Sequence, residues 1–239
     1  MRHLIVLLLV TFFATCRGFS GQIRVTTWKL SVPSNNSRGD SSIEAEEKPL
    51  RDAAATLRRL DPDVVLLQGV RDARSCNRLA ELLRPVRYYV LVCSAFPSAA
   101  TGGVSREQVA ILSKRAAFGA WAESWRKEGT VEPPGGFAFA AIRFDEVDVG
   151  FYAVQMKDNQ TRGNIERETQ LNILKRELSA RQLVRHVAAV DGKITNPERA
   201  FVIGGDFNTN PDQDLFVTES TFQSLKDAGF TNLFQNIPL

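Results

Sequence analysis

A single α/β domain, built from mixed sheets with helices on their outer faces, is what the order of elements in this chain predicts. Three observations carry that expectation. The chain reads β-α-β-α-β, then several strands, then one long helix and a further strand. No strand leads into a G-x-G-x-x-G turn or a P-loop, which sets a dinucleotide-binding sheet aside. The composition, 44% hydrophobic and 24% charged over 239 residues, is that of one domain with a real core and not of a disordered chain.

The first strand is expected from Ile23 to Leu30, where Ile23, Val25 and Thr27 alternate with Arg24, Thr26 and Trp28. Val32 to Glu47 reads as a loop rich in Ser, Asn and acidic residues, and Pro49 suits the first turn of a helix running to Leu60. Asp61-Pro62 ends that helix, Asp63 to Leu67 forms a short apolar strand, and a second helix spans Asp72 to Leu83. Tyr88 to Cys93 is β-branched and aromatic, hence strand; Ser98 to Ser105 is a loop around Gly102-Gly103. Strands follow at Gln108 to Ser113 and Ala117 to Trp125, and Pro133-Pro134-Gly135-Gly136 is a turn. Phe137 to Phe144 and Val147 to Val154 form a hairpin joined at Asp145-Glu146. Asn164 to Val190 has helical spacing, with Ile165, Leu171, Leu174, Leu178 and Val187 on one side. Ala200 to Gly204 is a strand ending in a glycine turn, Asn210-Pro211-Asp212 turns again, and Thr221 to Ala228 is a short helix.

The N-terminus is expected to lie outside the fold. Arg2 and His3 precede an apolar run from Leu4 to Phe13, and small or polar residues follow at Ala14, Thr15, Gly18, Ser20 and Gly21. That layout is a secretory signal peptide over residues 1–21, too short to span a bilayer, leaving a domain over 22–239 and a secreted, periplasmic or extracellular location. Cys16 reads as an incidental cysteine, because Phe13 and Thr15 poorly flank a lipidation site. Cys76 and Cys93 then remain, either as one disulfide or as two buried thiols, and without a C-x-x-C pair there is no structural zinc site. The sequon at Asn35-Asn36-Ser37 and the Arg38-Gly39-Asp40 triplet are short enough to arise by chance. A net charge of +3, from 30 basic and 27 acidic side chains, neither demands nor excludes a polyanionic partner.

Gly204-Gly205-Asp206-Phe207-Asn208-Thr209 is the most informative stretch. An apolar strand delivers Asp206 and Asn208 to its carboxyl end, and residues two apart on an extended chain face the same way. The carboxylate can accept a proton or hold a cation; the carboxamide can donate to a phosphate oxygen. A tight turn capped by the same two side chains is the equal alternative on these residues alone.

Other segments extend the pattern. Val25-Thr26-Thr27-Trp28-Lys29-Leu30 occupies the place of a strand that ends in Trp-Asn, and Asp61 to Val70 that of one ending in Gln-Glu. Gln108 to Lys114 is similar to Gly-x-Ala-Ile-Leu-Ser-Arg, Ala153 to Lys157 to Val-His-Leu-Lys, and Arg167-Glu168-Thr169-Gln170 to Arg-x-x-Gln on a helix. Taken in order, from Ile23 to the C-terminus, the chain resembles the endonuclease/exonuclease/phosphatase (DNase I-like) superfamily.

The resemblance implies a four-layer α/β sandwich of two packed mixed sheets flanked by helices, with the site at one edge. It implies Mg²⁺-dependent phosphoester hydrolysis, with Asp206 orienting water and Asn208 contacting phosphate. The remaining positions depart from the pattern. Lys29 stands for the metal-supporting Asn, Gly69 for the metal-binding Glu and Gln155 for a catalytic His. The closing Ser-Asp-His motif is not found before Leu239, so the last strands are expected to be missing, with a second chain completing the sheet as one way to cover the edge.

Of two histidines, His3 sits in the leader and His186 on the long helix, where packing or solvation is expected and not catalysis. Losing Glu and gaining Lys removes about two units of negative charge, which opposes Mg²⁺. No cofactor is therefore expected, and Mg²⁺ only with residual activity. The ammonium of Lys29 is expected on Asp206. Three functions stay in view: a silenced hydrolase; a weak metal-dependent phosphoesterase recruiting Asp158 or Glu107; and a binding module for a phosphate-bearing ligand, another polyanion or a protein, with Arg71, Arg74, Lys114, Arg115 and Lys157 as a basic rim.

Overall fold

The computed structural model describes residues 10–11, 21–30, 43–98, 102–105, 107–161, 163–210 and 213–233. The expected leader, Cys16, the sequon and the Arg-Gly-Asp triplet lie outside these residues, apart from Val10–Thr11 and Gly21. Pro211-Asp212 of the expected turn lies outside them too.

Nine strands and four helices are described: β1 (Val10–Thr11), β2 (Arg24–Lys29), α1 (Ile43–Leu60), β3 (Val64–Val70), α2 (Ala73–Leu82), β4 (Tyr89–Cys93), β5 (Gln108–Ser113), β6 (Ala117–Ser124), β7 (Gly136–Phe144), β8 (Val147–Gln155), α3 (Ile165–Asp191), β9 (Arg199–Asp206) and α4 (Thr221–Asp227). They form two mixed sheets, ordered β1-β2-β3-β5-β4 and β6-β7-β8-β9. Within them β2 runs parallel to β3 and β8 parallel to β9; every other pairing is antiparallel.

Strand periodicity explains the four layers. On β3, Val64 and Leu66 face the second sheet, while Val65 and Leu67 face α1 and α2. On β7, Ala138, Ala140 and Ile142 face the first sheet, while Phe137, Phe139 and Ala141 face α3 and α4. Side chains two apart share a face, so each apolar run serves two cores at once. Between the sheets, Val25, Val64, Leu66 and Ile111 meet Ala138, Ala140, Phe151 and Ala153. The outer cores set Leu50, Leu57 and Leu79 on the first sheet and Ala180, Leu183 and Val187 on the second.

Three expectations need correction. Helix α1 starts at Ile43, and Pro49 lies inside it. A proline there forfeits one helical hydrogen bond. The turn around it is held by Glu47, which accepts from Arg51 (2.9 Å) and twice from Arg78 of α2 (2.7 and 3.1 Å). Strand β3 continues past Leu67 to Val70, through a bulge against β5. The inward face of α3 is also rotated from the expected one: Ile165, Leu171 and Leu174 are exposed, whereas Asn172, Ile173 and Arg176 are buried with Leu178 and Val187. A salt bridge to Glu219 satisfies Arg176 in its buried place.

His186 is packed, one of the two places expected for it. Its Nδ1 lies 2.9 Å from the Tyr152 hydroxyl, among the rings of Trp121, Phe137 and Phe139. Burial holds its pKa below the ordinary 6.5; Glu123 opposes that shift and Lys193 adds to it. The unfolded chain therefore takes up a proton first on acidification, and folding stability present above about pH 6.5 declines as pH falls toward the depressed value. Urea unfolding midpoints measured from about pH 7.5 to about pH 5.5 are expected to drop in the wild type and to flatten in His186→Gln. An unchanged slope in the variant would assign the decline to other groups.

Candidate functional site

The carboxyl ends of β2, β3, β8 and β9 converge. Lys29 lies opposite Gln68 in the β2–β3 register, and Gln155 opposite Asp206 in the β8–β9 register. Lys29, Gly69, Gln155, Asp206 and Asn208 thus meet at one corner of the sandwich, although they span the chain.

Asp206 closes β9. Its Oδ2 lies 2.5 Å from Lys29 Nζ, and its Oδ1 accepts from the Asn208 backbone N–H at 3.1 Å. The second bond is a side-chain turn, the arrangement that lets Asp cap its own backbone. Asn208 completes it in the left-handed region, φ 52°, which Asn tolerates better than most residues. Of the two alternatives open in the sequence, the turn is the one observed. The Asn208 amide donates to the Met156 carbonyl at 2.9 Å. The Lys29 side chain is 51% exposed and that of Asp206 22%, so this is a surface pair. Such a pair contributes at most about 1 kcal/mol to stability.

Two glycines fix the corner's backbone. Gly205 has φ 156°, and a Cβ there would lie 2.0 Å from the Val154 carbonyl oxygen, so β9 reaches β8 only without a side chain. Gly69 sits in the β3 bulge at φ 65°, where a Cβ would lie 2.6 Å from the Leu30 carbonyl oxygen. The Gly69 N–H donates to Gln155 Oε1 at 2.9 Å. Behind it, buried Gln68 accepts from the Thr27 hydroxyl (3.2 Å) and donates to the Leu66 carbonyl (2.9 Å). Gln155 therefore serves the backbone of the strand that carries Gly69.

The basic rim is not assembled. Lys114 and Arg115 follow β5 at the far end of the sheet, where Ser113 pairs with Val64, and they bind Asp61 (2.7 Å) and Asp145 (3.4 Å). Arg71 and Lys157 follow the ends of β3 and β8, where Arg71 bonds Asp72 at 3.1 Å and Lys157 pairs with Asp158, and Arg74 is exposed on the first turn of α2. Glu107 is exposed at the start of β5, and Asp158 is held by Lys157.

Sequence reasoning missed the group that supports the corner from beneath. Arg176 is fully buried and binds Glu219 with both prongs of its guanidinium, at 2.9 and 2.6 Å. Its Nη1 also donates to the Lys157 carbonyl (3.1 Å) and to Asn159 Oδ1 (2.6 Å). Asn159 in turn donates to the Asn208 carbonyl at 2.9 Å. One cation thereby ties α3, the segment after β8 and the turn after β9. The available signal was an arginine in frame with Ile173, Ala180 and Leu183; Arg167 and Gln170, singled out instead, are exposed.

Comparison with known proteins places the chain in a family and relates its fold to solved structures. The endonuclease/exonuclease/phosphatase family model matches residues 35–235. No curated protein sequence matches the chain. Among solved structures, a family member from Leptotrichia buccalis C-1013-b is 15% identical, over 87% of this chain and 73% of that one, with a TM-score of 0.55. Sphingomyelinase C from Streptomyces griseocarneus is 17% identical, over 87% and 70%, with a TM-score of 0.58. A β-hairpin deletion mutant of beta toxin from Staphylococcus aureus is 14% identical, over 87% and 72%, with a TM-score of 0.56. At such identities the solved structures share the fold, and the match of the family model along most of its length shows that this chain belongs to the endonuclease/exonuclease/phosphatase family.

Proposed function

We propose that this chain is an exported, catalytically silenced member of its family, in which an ammonium group replaces a divalent cation. The observation that carries the reading is the 2.5 Å contact between Lys29 Nζ and Asp206 Oδ2. Magnesium seeks oxygen ligands in near-octahedral order and is usually held by one or two carboxylates. Here the carboxylate that closes β9 has a donor on each oxygen, one of them a cation. Among the described residues no three His, Cys, Asp or Glu side chains cluster closely enough for a metal. The donor set does not suit a divalent cation.

The other polar groups support the same reading. Gln155 is occupied by the Gly69 amide and Asn208 by the Met156 carbonyl. The described histidine lies within the aromatic core under α3, away from the corner. A proton carrier near neutral pH is what hydrolysis of a phosphoester by activated water ordinarily requires. Sphingomyelinase C acts, by its name, on sphingomyelin; a likeness in fold at 17% identity does not transfer that substrate. Export rests on the leader-like residues 1–21. The scattered basic residues support no polyanion-binding face.

Calorimetric titration of Mg²⁺ into the protein is expected to give only heats of dilution, and a generic phosphodiester is expected to survive incubation with it. Micromolar binding that Asp206→Ala abolishes, accompanied by turnover, would instead identify a weak metal-dependent phosphoesterase.

A further inference from the structure

Helix α2 packs on the outer face of the first sheet, against β4 and β5. Cys76 lies on its inner side, fully buried with Leu79 and Leu83. Cys93 ends β4, half-buried, against the same apolar cluster. Both are free thiols, and each is near enough within that cluster to shift the other's proton affinity. The packing of α2 on β4 brings the two thiols, 17 positions apart in the chain, into one apolar cluster, where they can be joined. We propose that Cys76 and Cys93 form a thiol–disulfide couple that, on oxidation, links α2 covalently to β4.

The two thiols differ, and the difference gives the reaction an order. Cys93 also contacts the Ser94 carbonyl at 3.6 Å and is the more accessible of the pair. The neighbouring Cys76 thiol lowers its pKa, whereas Cys93 and burial together raise that of Cys76. Thiolate is the nucleophile in exchange. Cys93 therefore attacks one sulfur of an external small-molecule disulfide, breaking its S–S bond, forming a mixed disulfide and releasing one thiolate. Cys76 then loses its proton and attacks the Cys93 sulfur, expelling the second thiolate. The protein gives up two electrons and two protons, and the external disulfide becomes two thiols. The link closes a short loop containing most of α2 and all of the chain leading to β4, which restricts the unfolded state.

The test uses the full chain carrying Cys16→Ser, so that only this pair reports, incubated with oxidised glutathione. Expected are loss of both free thiols, no retained glutathione by mass, and one non-reduced peptide joining Cys76 to Cys93. The folding equilibrium is expected to shift toward the native state roughly a hundredfold on oxidation, read from urea unfolding with and without reductant. Cys76→Ser should stop at glutathionylated Cys93, and Cys93→Ser should leave Cys76 unmodified while folded. Persistent glutathione on Cys93 in the parent, or modification of Cys76 before Cys93, would overturn the proposal. So would a joined pair whose oxidation leaves the unfolding midpoint unchanged or lowers it.

Discussion

Replacing Arg176 by methionine is expected to lower folding stability by about 3–5 kcal/mol, seen as a fall in the urea midpoint. The side chains of Arg176 and Glu219 are 0% and 1% exposed. Removing the guanidinium strands a carboxylate in the core, with only the Thr221 hydroxyl (2.6 Å) left to it. The Lys157 carbonyl and Asn159 Oδ1 also lose their donor. Methionine fills much of the volume and keeps an apolar stem over Phe216, so the loss is electrostatic more than steric. A double variant, Arg176→Met with Glu219→Leu, is expected to recover roughly half of the loss, because it removes both charges and not one. A single-variant cost below about 1 kcal/mol would mean that the pair is not dry. The corner should respond as well: without Arg176 the bond from Asn159 to Asn208 loses its anchor.

Restoring a carboxylate at position 69 is expected to damage the protein without creating a metal site. Gly69→Glu must place a side chain at φ 65°, with its Cβ 2.6 Å from a backbone oxygen that cannot swing aside. The left-handed conformation alone costs about 1–2 kcal/mol, and relief of the contact brings the expected loss to about 2–3 kcal/mol. Adding Lys29→Asn frees Asp206 and supplies the residue that the family resemblance places there. Even so, calorimetry of the double variant with Mg²⁺ is expected to give no binding tighter than about millimolar, because the bulge directs position 69 toward Leu30. A stable double variant that binds Mg²⁺ at micromolar concentration would show that the corner differs from an active one only in its side chains.

These two expectations mark where sequence reading ended. The layers were legible because the strands announce themselves: Val64 to Leu67 and Phe137 to Ile142 are apolar at every position, as strands covered on both faces must be. The hairpin at Asp145-Glu146 and the starts of α2 and α3 were equally readable, since each rests on local chemistry, and Asp72 and Asn164 cap the two helices. The start of α1 was not, because its anchor is Arg78, on another helix. Nor was the face of α3, where Arg176 occupies a place that an apolar residue would mark and its partner lies 43 positions on. At the corner, the ion pair followed from two residue types at two strand ends. The conformation of Gly69 did not, because an absent side chain carries no sign of the backbone it permits. Lys114 and Arg115 were misplaced for a topological reason: β5 runs antiparallel to β3, so its carboxyl end points away from the site.

All seven residues of β3 are buried, and the strand is flanked by β2 and β5 with a core on either side. Its amide protons should exchange with deuterium only when the whole domain opens, on the slowest timescale the protein has. Gly69 rides on that strand, so the backbone that shapes the corner should be as durable as the native state itself.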